Sequence, residues 1–167
     1  MKLVYLSLGS NRGDRLAQIT RALAELTRAG ARVERTSRYY RTEPVDFHPQ
    51  PWFVNCVAEA RTELMPMRLL RACQSIERAL GRRPGAPKGP RPIDIDILLY
   101  ENAVIRSPEL TVPHPRLEER RFVLVPLAEL APGARHPATQ RSVAEMLHET
   151  RDSSRVILLR EARTHAL

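Results

Sequence analysis

The chain has 167 residues, 43% of them hydrophobic and 28% charged, a balance typical of a globular protein and not of a disordered, collagen-like or fibrous one. Its 27 lysines and arginines against 19 acidic residues give a formal charge of +8, which favours an acidic partner. Two cysteines without a CxxC pair, and no secretory leader, predict a reduced cytoplasmic protein. No stretch approaches the roughly 20 apolar residues of a membrane span.

The first part of the chain alternates between strand and helix patterns. Residues 4–8 predict a buried strand, and the segment 9–13 after it is interpreted as a strand-to-helix turn. Apolar residues three or four apart over 16–26 predict a helix that Gly30 ends. Residues 33–40 are expected to form the next strand, before a proline-rich loop over 44–51.

The remaining pattern predicts a mixed sheet covered by helices in a single domain spanning 1–167. The expected elements are strands at 54–62, 93–100 and 156–159, helices at 66–80, 122–130 and 142–148, and loops at 82–92 and 108–115. Residues 136–167 carry no motif, and their Arg151 and Arg155 are expected to be solvated.

The sharpest chemical pattern is Asp94 and Asp96, which alternate with isoleucines in the predicted strand. Side chains in a strand alternate between faces, so both carboxylates point away from the isoleucines. They lie roughly 6.6 Å apart along the strand, close enough to share two divalent ions. The alternative is a half-buried strand with a solvated acidic face.

A basic loop leads into this acidic pair and contains Arg82, Arg83, Lys88 and Arg91. Carboxylates beside a cluster of positive charge suit a complex of magnesium with a polyphosphate. The loop also fits a mobile element that closes over substrate. A purely solvated run of charge is the alternative.

Two further segments contain residues suited to ligand binding. His114 lies between two prolines, which hold its ring in an extended segment where it can donate to a phosphate oxygen. Phe53 and Asn55 follow Trp52, and an aromatic face beside an amide can recognise a planar heterocycle, with Phe122 on its other side. No GxxxxGK[ST], GxGxxG or zinc-ligand spacing occurs.

Together these segments resemble the 6-hydroxymethyl-7,8-dihydropterin pyrophosphokinase family of folate biosynthesis from residue 5 to about 132. The matching segments are YLSLGSN at 5–11, YRTEP at 40–44, FVN at 53–55, IERALGR at 76–82, GPRPIDIDIL at 89–98, LTVPHPR at 110–116 and RRFVLVPL at 120–127. The resemblance implies a ferredoxin-like α+β domain, with a mostly antiparallel sheet between two helical layers. It also implies transfer of diphosphate from MgATP to the pterin hydroxymethyl group, with release of AMP.

The resemblance also implies roles for individual residues. It places two magnesium ions on Asp94 and Asp96 and assigns phosphate contacts during transfer to Arg82 and Arg91. Nucleotide contacts fall on Gln74, Glu77, Ile97, Thr111, His114 and Arg120, and Arg83 and Lys88 are added from the basic loop. Pterin contacts fall on Thr42, Glu43, Val45, Phe53, Asn55 and Phe122. A monomer without a membrane or nucleic-acid partner is expected.

Two other functions remain open from the residues alone. One is another magnesium-dependent nucleotidyl or phosphoryl transferase without pterin specificity, against which Phe53, Asn55 and Phe122 argue. The other is a nucleic-acid-binding module driven by the charge of +8, whose affinity falls steeply with salt. That module leaves Asp94 and Asp96 unexplained, because carboxylates repel phosphates unless a metal intervenes.

Overall fold

The computed structural model describes residues 1–45, 49–83 and 89–160. The strands are β1 (Lys2–Ser10), β2 (Ala31–Thr36), β3 (Tyr40–Thr42), β4 (Phe53–Thr62), β5 (Asp94–Tyr100), β6 (Ile105–Arg106), β7 (Thr111–Val112) and β8 (Val156–Leu158). The helices are α1 (Arg15–Ala29), α2 (Pro66–Ala79), α3 (Arg121–Leu130) and α4 (Val143–Glu149), with a 3-10 turn at Leu117–Glu119. None of the described helices is long and apolar enough to cross a membrane.

The main sheet has six strands, and all of its pairings are antiparallel. Its order is β5-β1-β4-β3-β8, and β2 pairs with β4 beside β3. The succession β1-α1-β2-β4-α2-β5 with β1 and β4 in the centre is the ferredoxin-like arrangement. The predicted α+β fold with a mostly antiparallel sheet is confirmed.

The helices begin and end at residues that satisfy their free backbone groups. The Asp14 side chain accepts a hydrogen bond from the Ala17 amide at the start of α1, and Gly30 ends that helix with φ 111°, a conformation that glycine adopts without strain. Pro66 is in the first turn of α2, where its missing N–H costs nothing. Ser142 and Glu145 form a capping box at α4.

Two apolar clusters lie on opposite faces of the sheet. Ile93, Ile95 and Ile97 are buried in the cluster that contains side chains of α1 and α2. Tyr5, Val57 and Leu98 belong to the cluster that contains side chains of α3 and α4. This alternation confirms that Asp94 and Asp96 point away from the isoleucines, and it gives the three-layer arrangement that was expected.

The structure corrects three of the local predictions. The strand expected over 33–40 is broken between β2 and β3, because the hydroxyl of Ser37 accepts from the Val57 amide and replaces a ladder bond. The segment 9–13 is not entirely a turn, since β1 continues through Ser10. The loop expected over 108–115 includes β7, which pairs with β6.

Candidate active site

A cleft opens at the end of the sheet face that carries α3. Three strands place Asp94, Gly9 and Asn55 in one row, because Gly9 of β1 pairs with Asp94 on one side and with Asn55 on the other. Directly opposed residues of antiparallel strands share a face. Two strand spacings separate Asp94 from Asn55 by about 10 Å.

The cleft encloses about 570 Å³, including the part open to solvent. Its lining consists of Ser7, Gly9, Thr42, Glu43, Pro44, Val45, Gln50, Phe53, Asn55, Arg91, Asp94, Asp96, Arg120 and Phe122. All six residues predicted to contact the pterin are in this set, together with four of the residues predicted to bind phosphate or metal. The fold therefore brings both groups of residues into one cleft.

Asn55 is fixed at one end of this row. It is buried, and its side-chain amide donates a 2.5 Å hydrogen bond to Thr42 Oγ1. A Cβ atom on Gly9 would overlap Asn55 Oδ1, so the glycine leaves the space that this amide occupies. The orientation of Asn55 therefore depends on both neighbouring strands.

Asp94 at the other end of the row is held by two guanidinium groups. Arg82 Nη1 lies 2.6 Å from Asp94 Oδ1, and Arg91 Nη1 lies 3.1 Å from Asp94 Oδ2. The same Arg82 nitrogen donates to Glu77 Oε2 at 2.8 Å. The predicted metal ligand and the predicted phosphate-binding arginines thus form one ion-paired cluster.

Glu77 and Asp96 are acidic groups in a strongly desolvated part of the site. Burial raises the pKa of Asp96 to about 7, and the charge of Asp94 adds to the rise. Burial also raises the pKa of Glu77 to about 7. Glu77 Oε2 accepts a hydrogen bond from the Ile95 amide at 2.8 Å, so Glu77 joins the end of α2 to the start of β5.

His114 is held in one tautomer beside the cleft. Its Nδ1 accepts from the Arg116 amide at 3.1 Å, which leaves the proton of the neutral ring on Nε2. Burial, with a contribution from Arg120, lowers the pKa of His114 to about 4. At neutral pH the ring is therefore uncharged and presents an N–H donor.

The other predicted nucleotide residues are more dispersed. Gln74 and Arg83 are exposed, Thr111 is half-buried in β7, and Ile97 is buried in the apolar cluster beneath α1 and α2. Lys88 lies outside the described residues. Within the described part of the chain, no group of three or more His, Cys, Asp or Glu side chains could hold a metal ion.

Sequence reasoning missed the structural role of Asn11. Its Oδ1 accepts from the Arg91 amide at 2.7 Å, and its Nδ2 donates to Gln50 Oε1 and to the Pro51 carbonyl at 2.8 and 3.0 Å. Asn11 thus joins the end of β1 to both predicted loops. Its signals were its position directly after a buried strand and its place in the matching segment 5–11, but the turn interpretation gave it no role.

The fold and the cleft define the class, a ferredoxin-like α+β domain whose cleft joins an ion-paired cluster to a wall with aromatic and amide side chains. The family model 7,8-dihydro-6-hydroxymethylpterin-pyrophosphokinase (HPPK) matches residues 5–132. The chain belongs to this family, which confirms the predicted resemblance.

Relatives include proteins of about the same length as this chain and proteins several times longer. The chain is 42% identical over 149 residues to 2-amino-4-hydroxy-6-hydroxymethyldihydropteridine pyrophosphokinase of Aquifex aeolicus, covering 89% of this chain and 92% of the relative. It is 49% identical to the folic acid synthesis protein fol1 of Schizosaccharomyces pombe, covering 87% of this chain and a fifth (20%) of the relative's length. A crystal structure of Plasmodium falciparum HPPK-DHPS has a similar fold, with a TM-score of 0.69 and 15% identity over 89% of this chain and 43% of that one.

Proposed function

We propose that the chain transfers the terminal diphosphate of ATP to the hydroxymethyl oxygen of 6-hydroxymethyl-7,8-dihydropterin and releases AMP, as a step of folate biosynthesis. The observation that carries the proposal is the row Asp94, Gly9 and Asn55, which joins a charged end and an aromatic, amide-bearing end in one cleft. Membership of the family supports the same reaction.

The pterin occupies the end of the cleft that Asn55 defines. Phe53 and Phe122 both line the cleft and offer aromatic faces for stacking on a planar ring. The Asn55 side chain offers both a donor and an acceptor to the ring edge. Thr42, Glu43 and Val45 follow one another around the same wall and supply further contacts.

Asp94 and Asp96 are the residues that would hold two magnesium ions. Magnesium in nucleotide sites is usually bound by one or two carboxylates, with substrate phosphates and water completing its shell. Two carboxylates on one face of β5 fit that pattern, since both line the cleft. Bound magnesium would neutralise the triphosphate and stabilise the charge that develops on departing AMP.

Arg82 and Arg91 contribute positive charge to the transferred group. In the protein alone both guanidinium groups are bonded to Asp94, so ATP binding requires them to exchange that carboxylate for phosphate oxygens. Such charge-assisted contacts stabilise the transition state more than the ground state when they are aligned with the transferred diphosphate. Further nucleotide contacts are proposed for the following residues: Gln74, Glu77, Arg83, Lys88, Ile97, Thr111, His114 and Arg120.

The test is release of AMP from MgATP by the purified chain, with and without 6-hydroxymethyl-7,8-dihydropterin. We expect AMP only when the pterin is present, and a pterin product heavier by one diphosphate in the mass spectrum. ADP as the nucleotide product, or turnover with unrelated acceptors, would indicate a different phosphotransferase. We also propose that the chain is a single-domain cytoplasmic enzyme that acts as a monomer, and gel filtration of the same sample tests the oligomeric state.

A further inference from the structure

The loop that joins β3 to β4, of which residues 43–45 and 49–52 are described, is bounded by two residues close to a single arginine of the C-terminal segment. Glu43 begins this loop after β3, and Trp52 ends it directly before β4. Arg155 precedes β8, the strand that pairs with β3. It lies beyond residues 5–132, the part of the chain that the family model matches.

Arg155 contacts the first end of the loop through its backbone. The Glu43 amide donates to the Arg155 carbonyl at 3.1 Å, and the Arg155 amide donates to Glu43 Oε1 at 3.1 Å. The first of these bonds continues the pairing of β3 with β8 by one more residue on each strand, and the second ends on the Glu43 side chain. They do not depend on the side chain of Arg155.

The side chain of Arg155 contacts the other end of the loop. Its Cζ lies 5.2 Å from the centre of the Trp52 ring, and Arg41 Cζ lies at the same distance. Both distances are within the range of cation–π attraction. The Trp52 carbonyl also accepts from Arg15 Nη1 at 2.8 Å, so Trp52 is held by three arginines from three parts of the chain.

We propose that Arg155 is a positioning residue for the pterin site, an inference that rests on the proposed function. The pairing of Thr42 with Phe53 closes the base of the loop over 43–52. Arg155 joins the next residue on each side, Glu43 and Trp52, and so orients Trp52 beside Phe53. Glu43, Val45 and Gln50 of this loop line the cleft, and Phe53 follows Trp52 directly. The expected solvation of Arg155 is therefore only half right, since the side chain is exposed but packs on Trp52.

The test is the variant Arg155→Ala, which keeps both backbone bonds to Glu43 and removes only the contact with Trp52. We expect the KM for the pterin to rise about fivefold, the range set by one exposed cation–π contact, with the KM for ATP and kcat nearly unchanged. Arg155→Lys should recover part of the effect. Arg160→Ala, an exposed arginine of the same segment, is the matched control and should behave as the wild type.

Trp52 is the only tryptophan of the chain, so its fluorescence reports the contact directly. Acrylamide should quench Trp52 more strongly in Arg155→Ala than in the wild type or in Arg160→Ala. If Arg155→Ala does not unfold cooperatively, Trp52→Phe replaces it in the kinetic test and should also raise the pterin KM selectively. The inference would be overturned if an active Arg155→Ala enzyme had an unchanged KM for the pterin or an equal rise in KM for the pterin and ATP. Unchanged quenching of Trp52 by acrylamide would also overturn it.

The proposed function fails in a different way. It fails if the wild type releases no pterin-dependent AMP, whereas the positioning role fails if the wild type is active and the variants do not differ from it. For an inactive wild type, the quenching difference and the titration of Trp52 fluorescence with the pterin alone decide whether Arg155 orders this loop. Equal pterin affinity for wild type and Arg155→Ala in that titration overturns the inference as well.

Discussion

Arg82 Nη1 lies 2.6 Å from Asp94 Oδ1 and 2.8 Å from Glu77 Oε2. One guanidinium group therefore joins the end of α2 to the start of β5, at the point where a metal and a triphosphate are proposed to bind. The arrangement keeps the charges of the site compensated before substrate arrives. It also makes Arg82 the group that must change partners when ATP enters.

Replacing Arg82 tests this exchange. We expect Arg82→Ala to lower kcat by about a hundredfold or more, the effect of removing one preorganised donor from a developing charge, with a smaller change in the KM for the pterin. Steady-state kinetics with each substrate varied separately measure the split. Arg71→Ala, which removes an exposed arginine from α2, the helix that precedes Arg82, is the matched control. An Arg82→Ala enzyme as active as that control would contradict the role.

Asp96 is predicted to be needed for activity and, in its ionised form, to lower the stability of the folded protein. Because burial raises its pKa to about 7, its ionised form is disfavoured in the folded protein, and this cost is complete above pH 7. Asp96→Asn should therefore lower kcat by at least about a hundredfold through loss of a metal ligand, while raising the Tm at pH 8 by at least about 2 °C. Calorimetry measures the Tm and the AMP assay measures kcat. A fall in both the Tm and kcat would indicate that Asp96 has a structural role instead.

The sequence predicted most of the fold because its local signals agree with the tertiary structure. Isoleucines alternating with Asp94 and Asp96 define which face of β5 is buried, and Gly30 and Pro66 mark helix ends through backbone geometry alone. The break between β2 and β3 was not predictable, because the Ser37 hydroxyl competes for the Val57 amide only once the strands are paired.

The candidate site was predictable to a similar extent. Phe53, Asn55 and Phe122 were selected as a set, and the cleft brings them together. The roles of Asn11 and Arg155 were not found, since each depends on contacts with residues at least 39 positions away in the sequence. Side chains that connect distant segments leave no periodic pattern in the sequence.

Gly9 should be intolerant of even the smallest side chain. A Cβ there overlaps Asn55 Oδ1, so Gly9→Ala must displace the Asn55 amide. We expect a loss of about 1–3 kcal/mol in the free energy of unfolding, typical of overpacking a buried position, and weaker pterin binding. Urea denaturation and a pterin titration measure both, and Gly133→Ala, where a Cβ meets nothing within 4 Å, is the control that should change neither.

His114 should make stability depend on pH in a defined window. Its pKa is lowered to about 4 in the folded protein, below the usual value near 6.5, so the unfolded chain binds more protons between these values. Stability from this group is complete above pH 6.5 and is lost as the pH falls towards 4. The raised pKa values of Asp96 and Glu77 act in the opposite sense over about pH 4–7.

The variant His114→Gln separates these contributions, since the carboxyl groups are common to both proteins. The destabilisation caused by this substitution should be smaller at pH 5 than at pH 7.5, by about 1–2 kcal/mol. Urea denaturation at the two pH values measures the difference. If His114→Gln lowers the free energy of unfolding equally at pH 5 and pH 7.5, the His114 ring is not held neutral by its surroundings.

The central claim is that one cleft binds the pterin at Asn55 and the metal-bound triphosphate at Asp94 and Asp96. The most direct measurement is a crystal structure with magnesium, a non-hydrolysable ATP analogue and 6-hydroxymethyl-7,8-dihydropterin. We predict the pterin ring between Phe53 and Phe122 with its edge on Asn55, magnesium on both aspartates, and Arg82 moved from Asp94 to the phosphates. A pterin bound elsewhere, or Asp94 still paired with Arg82 beside bound nucleotide, would contradict the account.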